Sequence, residues 1–132
     1  MTIMVIGARD ISEAQGHELK NWLTENYSHA SEVISGGAIG TDTNVKEWAH
    51  ANGKSYVEYA PDYLKYGKSA THIRNADMIK AIKAVQGELI AYQPNGATSG
   101  TQSTIKLAKK AYVKVTELKQ TTEATPTQYS LF

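Results

Sequence analysis

Short apolar runs that alternate with helical patterns are the feature that most constrains the fold of this chain. Five runs have the length and composition of strands: Ile3–Ile6, Val33-Ile34, Ser55–Tyr59, Leu89–Tyr92 and Tyr112–Val115. The first is continuously apolar, which is typical of a strand buried on both faces of a parallel sheet. Strands separated by helices need crossover connections. The sequence therefore predicts an α/β fold, with a parallel sheet of about five strands and helices on both faces.

Between the runs, apolar residues recur three and four positions apart, which indicates helices with one buried face. Ser12 and Gln15 form a capping-box signature, and the helix that they begin is predicted to end near Tyr27. The apolar sets that mark the four helices are Leu19, Trp22 and Leu23; Val45, Trp48 and Ala49; Met78, Ile79 and Ile82; and Ile105, Ala108 and Ala111. The polar segment Pro61–Thr71 is predicted to be irregular.

Composition narrows the class of protein. The 132 residues suit one domain, and 20% charged with 41% apolar residues is typical of a globular protein. The absence of cysteine excludes a disulfide framework, a thiol nucleophile and a thiolate zinc site. The apolar start, Met1–Gly7, is too short for a transmembrane helix and lacks the basic region of a signal peptide. We therefore expect a cytoplasmic protein without membrane association.

The formal net charge of +1 hides an asymmetry between the two parts of the chain. Residues 1–61 carry 4 basic and 8 acidic side chains, whereas residues 62–132 carry 10 and 5. Such a split can indicate an anionic partner. Lys106, Lys109 and Lys110, however, share one helix face that we interpret as ordinary solvated surface. The near-neutral total also argues against non-specific nucleic-acid binding as the main activity.

Glycine-containing turns follow three of the predicted strands, at the ends where open parallel sheets bind ligands. They come after Ile6, Ile34 and Tyr92. Two of them lead into helices, at Thr41 and at Thr101, and the free N–H groups of a helix N-terminus suit phosphate. Each turn alone could be only a tight strand-to-helix connection. Three at one edge favour an anion or nucleotide pocket.

Familiar phosphate-binding signatures are absent. Gly36–Thr41 lacks the Gly-Lys-Ser/Thr ending of a Walker loop, and Gly7–Asp10 lacks the three-glycine spacing of the dinucleotide fingerprint. A motor NTPase and a classical dehydrogenase are therefore disfavoured. The histidines, at positions 17, 29, 50 and 72, have no paired metal-ligand spacing, so we predict no metal and no cofactor. His72 lies near Arg74 in the sequence and is expected to be able to enter the pocket.

Four motifs occur in the order in which they occur in a known superfamily. They are Gly7-Ala8-Arg9-Asp10; Ser35-Gly36-Gly37-Ala38-Ile39-Gly40-Thr41-Asp42 with Trp48-Ala49; Tyr66-Gly67-Lys68 with Arg74-Asn75 and Met78; and Ser99-Gly100-Thr101. On these motifs, residues 1–118 resemble the YspA/YpsA-related branch of the SLOG superfamily. That superfamily also holds the LOG phosphoribohydrolases and the DNA-processing protein DprA. The resemblance implies a Rossmann-like domain that binds a nucleotide or nucleotide-derived ligand.

The resemblance also implies roles for individual residues. The expected ligand- or phosphate-binding set is Gly7, Arg9, Gly36, Gly37, Gly40, Thr41, Lys68, Arg74, Asn75, Ser99, Gly100 and Thr101. The LOG motif has Pro and Glu where this chain has Ser35 and Asn44, so the resemblance leaves enzymatic activity open. For an enzyme of this kind, the expected reaction is cleavage of an N-glycosidic or phosphoribosyl bond. Asp42 and Arg74 are then the candidate catalytic residues.

Both candidates have a structural alternative. Asp42 can orient a ribose hydroxyl or activate water, or it can cap the helix that begins beside it, and the sequence leaves these two interpretations open. Arg74 can clamp phosphate or pair with Asp77 three residues later. We favour the clamp, because Arg74 follows an irregular segment near the strand ends. Asp10 and Glu58 are further acids that the sequence does not rank.

The loop before Arg74 combines basic and aromatic residues. Lys65 and Lys68 can close over an anion, and Tyr63 and Tyr66 can stack on a base. For the lysines, a solvated loop is the slightly favoured alternative.

From residue 119 onward the composition is polar and lacks apolar periodicity. Residues 119–127 are predicted to form a flexible linker. The last five residues, Gln128, Tyr129, Ser130, Leu131 and Phe132, resemble the peptide by which proteins bind bacterial-type DNA sliding clamps. Leu131 and Phe132 would fill an apolar pocket while Gln128 makes oriented hydrogen bonds. The alternatives are a tail that packs on its own domain and a chance match.

Three functions follow. The first is a nucleotide-binding domain, with or without hydrolase activity, that the tail recruits to the DNA sliding clamp. The second is a non-enzymatic protein that binds single-stranded DNA as DprA does, which the tyrosines and the basic second part suggest. The third is a replication adaptor or inhibitor that acts through the clamp. A homo-oligomer is compatible with all three.

Overall fold

The structure, a computed structural model, describes residues 1–119, in which strands alternate with helices. The strands are β1 (Thr2–Gly7), β2 (Glu32–Ser35), β3 (Ser55–Glu58), β4 (Glu88–Tyr92) and β5 (Lys114–Leu118). The helices are α1 (Glu13–Tyr27), α2 (Thr41–Ala51), the single-turn α3 (Tyr63–Tyr66), α4 (Ala70–Ala84) and α5 (Ser99–Lys110), with a 3-10 turn at Gly67–Ser69. The predicted alternation is confirmed.

All five strands are parallel, in the order β3-β2-β1-β4-β5. The central strand β1 places Met4 beside Ile34 on one side and beside Leu89 on the other. After β3 the chain crosses back to the other side of β1, so the strand order reverses between β1 and β4. In open α/β sheets this switch point leaves a crevice beyond the carboxyl ends of the strands.

Successive residues of β1 face opposite layers of helices, as the period of a strand requires. Ile3 and Val5 pack with the buried faces of α1 and α2, in a cluster that includes Leu19, Leu23 and Trp48. The intervening residues of β1 pack against the other layer, in a cluster whose members include Met4, Ile6, Met78, Ile82 and Ile105. The sheet is therefore covered on both faces, and its strand ends are the places left for a ligand.

Two segments differ from the prediction. The segment Pro61–Thr71 is largely helical, because the Asp62 carboxylate accepts from Lys65 N–H at 3.1 Å and starts α3, after which the 3-10 turn leads directly into α4. The last strand begins at Lys114 rather than Tyr112. Tyr112 adopts a left-handed conformation (φ +61°) that ends α5, so the chain becomes extended only afterwards.

The C-terminal predictions lie mostly outside the described residues. Of the expected linker, residues 119–127, only Lys119 is described, and the clamp-binding residues Gln128–Phe132 fall wholly beyond residue 119. The division at residues 118 and 127 therefore stays a prediction. Across residues 1–119, every helix is too short or too polar to cross a membrane.

Candidate functional site

A pocket of about 640 Å³ opens at the carboxyl edge of the sheet, beside the β1–β4 switch point. Its wall comes from the loops that follow β1, β2 and β4, and from the segment that leads into α4. Ile6 and Met78 contribute apolar surface, and Thr71, Thr98, Thr101 and Thr104 contribute polar atoms. The volume and the mixture of apolar surface with a few polar groups are typical of small-molecule sites.

The turn between β2 and α2 is filled by the protein itself. Thr41 donates to the Ala8 carbonyl from both its backbone N–H, at 3.1 Å, and its hydroxyl, at 2.8 Å. Gly40 has φ +75°, and a Cβ there would collide with the carbonyl of Arg9. This glycine and this threonine therefore hold the end of β1 against the start of α2.

The Asp42 carboxylate closes the same turn from inside. Only 7% of Asp42 is exposed, and its Oδ2 accepts from the Ala38 N–H at 3.0 Å. Gly40 occupies the N-cap position of α2, so the interpretation of Asp42 as the cap of this helix is wrong. Its carboxylate instead holds the loop that precedes the helix, and Asp42 also lines the pocket.

Burial is the main influence on the Asp42 carboxyl, and it raises the pKa above the ordinary 3.8. Hydrogen bonding from the backbone of Ala38 and the nearby charge of Arg74 oppose that shift. The Ser35 hydroxyl also lowers this pKa, but the contact falls short of hydrogen-bond geometry. Ser35 Oγ and Asp42 Oδ1 thus stay buried without a hydrogen bond to any group in residues 1–119. Carboxyls with perturbed pKa values are concentrated at functional sites, so Asp42 is a candidate residue of such a site.

Arg74 is held by backbone carbonyls. Its Nη1 donates to Gly36 O at 2.7 Å and to Tyr59 O at 3.1 Å, and its Nε donates to Asn75 Oδ1 at 2.7 Å. These bonds replace the suggested pairing with Asp77, which is wrong. The other guanidinium nitrogen, Nη2, has no hydrogen bond to residues 1–119, and Arg74 lines the pocket.

Gly36 lies between the two candidate catalytic side chains. A Cβ at this position would be 2.5 Å from Arg74 Nη1 and 3.3 Å from Asp42 Oδ2. Glycine therefore lets the guanidinium and the carboxylate approach the same stretch of backbone. The structure thus brings Asp42 and Arg74 to one side of the pocket, although no ion pair of 4 Å or less joins them.

The turn between β4 and α5 leaves residues exposed, unlike the turn between β2 and α2. The Thr98 hydroxyl caps α5 and accepts from Thr101 N–H at 3.4 Å. Ser99 and Gly100 are exposed, and a Cβ at Gly100 would meet nothing within 4 Å. Thr101 is 7% exposed and lines the pocket, yet its hydroxyl makes no hydrogen bond within residues 1–119.

Side chains from outside the motifs fix this open turn, and the sequence analysis missed them. Gln93, which is 3% exposed, accepts from Thr98 N–H through its Oε1 at 2.8 Å. Asn95 Nδ2 donates to Asp10 O at 2.8 Å, and Gln15 Nε2 donates to Asn95 Oδ1 at 2.8 Å. The only signal in the sequence was a glutamine directly after the apolar run Leu89–Tyr92.

The segment around α3 contributes less than expected. Pro61, Tyr63 and His72 line the pocket, but Lys65, Lys68 and Tyr66 do not. Lys65 Nζ lies 5.1 Å from the centre of the Tyr66 ring, so these two side chains contact each other. Lys65 and Lys68 are exposed, as expected for the alternative of a solvated loop.

The expected ligand-binding residues separate into two groups. Those that line the pocket are Gly7, Arg9, Gly36, Gly37, Arg74, Asn75, Gly100 and Thr101. Those that do not line it are Gly40, Thr41, Lys68 and Ser99. Of the unranked acids, Asp10 lines the pocket, whereas Glu58 packs behind Gly37 and lies 3.8 Å from Lys46. Residues 1–119 contain no cluster of three or more His, Asp or Glu side chains that could hold a metal ion.

Comparisons with known proteins give the fold. The chain is similar to the X-ray structure of DNA processing protein A (DprA) from Streptococcus pneumoniae, at 14% identity and a TM-score of 0.65. The match covers 98% of this chain but 55% of the DprA chain. It is also similar to the molybdenum cofactor carrier protein of Chlamydomonas reinhardtii, at 13% identity and a TM-score of 0.48, across 99% of both chains. No protein-family model and no curated sequence matches the chain.

The similarity to DprA confirms the Rossmann-like α/β fold class. This chain spans about half of the DprA chain.

Proposed function

We propose that the pocket binds a nucleotide or nucleotide-derived ligand, as in the YspA/YpsA-related branch of the SLOG superfamily that the motifs resemble. The observation that carries the proposal is Arg74. Two backbone carbonyls, of Gly36 and Tyr59, hold its guanidinium beside the switch point, and Nη2 is left for a ligand. An arginine that is fixed in advance binds phosphate with little loss of side-chain entropy.

Isothermal calorimetry against a panel of nucleosides, nucleotides and phosphosugars tests this proposal. The expected result is binding of at least one phosphorylated compound, weakened about tenfold or more by Arg74→Met. Lys110→Met removes a charge from the exposed end of α5, away from the pocket, and should leave affinity unchanged. Gly100→Leu, which points into open space, should block the pocket without unfolding the protein. No binding to the panel would refute the proposal.

Cleavage of an N-glycosidic or phosphoribosyl bond is the first reaction to examine. Asp42 is a buried carboxyl of the pocket with a raised pKa, which suits a proton donor to a departing base. The assay is release of free base from nucleoside monophosphates, measured by chromatography. Asp42→Asn should abolish release of the base while nucleotide binding is retained. If the wild-type protein binds a nucleotide but releases no base, the protein only binds its ligand.

The tail is the second part of the proposal. Gln128–Phe132 would recruit the domain to a DNA sliding clamp, because its sequence resembles clamp-binding peptides. A pull-down with a bacterial sliding clamp tests this part separately from the pocket. Replacement of Leu131 and Phe132 by alanine should abolish capture, whereas Arg74→Met should not affect it. Capture that survives the double replacement would contradict the role of the tail.

Direct binding of single-stranded DNA is a second candidate, favoured by the fold shared with a DNA processing protein. The exposed side chains of Tyr63, Lys65, Tyr66 and Lys68 lie on the segment that leads into α4. Aromatic and basic side chains together are typical of sites for single strands. Anisotropy of a labelled oligothymidine at low salt tests it, and absence of binding there would exclude this function.

A further inference from the structure

Two buried polar atoms near the pocket have no hydrogen bond to any group in residues 1–119. They are Ser35 Oγ, at the end of β2, and Asp42 Oδ1, in the first turn of α2. Ser35 is fully buried, and only 7% of Asp42 is exposed. Because solvent does not reach Oδ1, the Asp42 carboxyl can meet a ligand in the pocket only through its other oxygen, Oδ2. A buried oxygen without a partner costs free energy, so both atoms require an explanation.

Ser35 faces the layer of the protein that contains α2. Val33, two residues earlier in β2, packs with Val45 and Trp48 of α2. Residues two apart in a strand point to the same face of the sheet, so the Ser35 side chain also points toward this layer. Its hydroxyl lowers the pKa of the Asp42 carboxyl, which requires the two side chains to be close. A serine hydroxyl can donate to a carboxylate oxygen, so each unpartnered atom can supply what the other lacks.

The edge strand β3 brings a second hydroxyl to the same place. In the parallel register, Val33 pairs with Tyr56 and Ser35 pairs with Glu58, so all four side chains share one face of the sheet. Burial raises the pKa of Tyr56, and the Ser35 hydroxyl opposes this shift. The Tyr56 hydroxyl donates to Glu58 Oε1 at 3.4 Å, which is a long bond. Ser35 Oγ therefore lies between the Asp42 carboxyl and a hydroxyl that is only weakly held.

Charged side chains of α2, β3 and α4 surround these two hydroxyls. Lys46 Nζ lies 3.8 Å from Glu58 Oε1 and 5.9 Å from the centre of the Tyr56 ring. The titratable and charged groups nearby are Arg74 beside Asp42; Lys46, His50 and Glu58 beside Tyr56; and Arg9, Asp10, Tyr63 and His72 in the pocket lining. Replacing the hydroxyl of Ser35 or Tyr56 leaves every one of these groups in place.

We infer that Ser35 and Tyr56 are positioning residues for the Asp42 carboxylate. The Ser35 hydroxyl donates to Asp42 Oδ1, and the Tyr56 hydroxyl donates to Ser35 Oγ from the side of β3. Hydrogen bonds in such a chain strengthen one another. The chain keeps Oδ1 inward and stabilises the charge that remains on the carboxylate after Oδ2 gives up a proton. The inference rests on the proposed function, because the acid that it positions is the one that would protonate a departing base.

NMR titration of the Asp42 side-chain carboxyl carbon, in the full chain and without ligand, tests the inference. Ser35→Ala should lower the acid dissociation constant of Asp42 about tenfold, because the carboxylate loses a charge-assisted hydrogen bond. Tyr56→Phe should lower it about threefold. The Tyr56 hydroxyl is uncharged where Asp42 titrates, so its effect has to pass through hydrogen bonding. The matched control is Tyr59→Phe, whose ring packs in the opposite layer and which should have no effect.

The double variant, Ser35→Ala with Tyr56→Phe, decides whether Tyr56 acts through Ser35. Once Ser35 is alanine, loss of the Tyr56 hydroxyl should change the dissociation constant of Asp42 less than about 1.5-fold. A threefold effect that persists in the alanine background would overturn the chain. So would an unchanged titration in either single variant whose amide spectrum shows the native fold. If Ser35→Ala does not fold, the comparison of Tyr56→Phe with Tyr59→Phe decides, and equal titrations would overturn the inference.

The base-release assay supplies a second readout. Asp42 can donate a proton only while it is protonated, so kcat should fall as pH rises through its pKa. Ser35→Ala should move this fall to higher pH with KM unchanged, whereas mere structural damage would lower kcat without moving it. A fall that stays in place would contradict the positioning role.

The outcomes separate this inference from the proposed function. If the carboxyl titrations change as expected but no nucleotide binds and no base is released, the proposed function fails and the positioning of Asp42 stands. If a nucleotide binds and the titration of Asp42 is the same in the wild type, Ser35→Ala and Tyr56→Phe, the pocket stands and the inference fails.

Discussion

The starts of α2 and α5 lie at the same edge of the sheet, and both follow a strand and a glycine-containing turn, with a threonine in the first helical turn. At α2 protein groups fill the turn, although Asp42 Oδ1 and Ser35 Oγ have no hydrogen-bond partner within residues 1–119. Gly40 packs on the Arg9 carbonyl, Thr41 bonds to Ala8, and Asp42 brings the turn its own negative charge. At α5, hydrogen bonds from Thr98 N–H to Gln93 and from Thr101 N–H to Thr98 fix the turn, while Ser99 and Gly100 are exposed. Similar motifs thus serve packing in one place and access in the other.

This difference explains why a glycine motif is weak evidence for a phosphate site. A glycine is required where a side chain would collide, and the collision can be with a ligand or with the protein. Gly40 belongs to the second kind, because the atom in the way is a backbone oxygen. Gly100 has nothing in the way within residues 1–119, so packing in the described part of the chain does not require a glycine there.

The largest expected effect comes from the two glycines themselves. Gly40→Ala should cost about 3 kcal/mol or more of the free energy of unfolding, because of its positive φ and the collision with Arg9. Gly100→Ala should be neutral or stabilise by up to about 1 kcal/mol, since alanine favours the helix. Urea unfolding of both variants checks the pair. Equal costs would break the comparison between the two turns.

The next largest effect is expected from replacing Asp42, the buried carboxylate of the turn before α2. Asp42→Ala leaves the Ala38 N–H without its acceptor and should lower the free energy of unfolding by about 2 kcal/mol. Asp42→Asn keeps an oxygen for that bond and should lose clearly less. Chemical unfolding at one pH compares the two. A loss that is the same in both variants would mean that the charge, and not the hydrogen bond, holds the turn.

A smaller effect is expected at the cap of α5. Thr98→Ala removes the side-chain acceptor of Thr101 N–H and should cost about 1 kcal/mol of stability. Thr98→Ser keeps the oxygen and should cost no more than about half of that. If the open turn is fixed as we describe, Thr98→Ala should also weaken ligand binding, measured by calorimetry. Unchanged affinity would show that preorganisation of α5 contributes little.

The smallest effect is a dependence on pH. Burial raises the pKa of Asp42 in the folded state above 3.8, so the folded state binds its proton more tightly than the unfolded state. The stability that this proton linkage contributes is complete below pH 3.8 and is lost as pH rises through the folded pKa. The free energy of unfolding of the wild type, relative to Asp42→Asn, should therefore fall over that interval. A difference that rises with pH would reverse the sign of the pKa shift.

Much of the fold could be predicted from the sequence, because its signals are local. The apolar run Ile3–Ile6 and the cap Ser12–Gln15 depend only on neighbouring residues, and both appear as expected. The errors occurred where a short-range detail decided the outcome. The segment after Pro61 gave no apolar periodicity, yet Asp62 caps a short helix there, and the conformation of Tyr112 delayed β5.

The candidate site was predictable only as a neighbourhood. In a parallel sheet the turns after the strands meet at one edge, so the pocket could be placed there. Eight of the twelve expected binding residues line it. The partners of those residues were not predictable. Arg74 bonds to Tyr59 and Gly36, 15 and 38 residues away, through contacts that depend on how separate segments pack. The bond between Gln93 and Thr98 spans only five residues, but it depends on the path of the turn between them.

The sequence by itself determined the alternating parallel fold and the edge at which a ligand would bind, since residue periodicity and strand ends are properties of a short stretch of chain. Only the tertiary structure decided which turn is filled and which is open. That depends on whether a backbone oxygen from another loop, such as the Arg9 carbonyl after β1, or empty space lies against the glycine. Contacts between residues thirty or more positions apart are set by packing, and no local pattern encodes them.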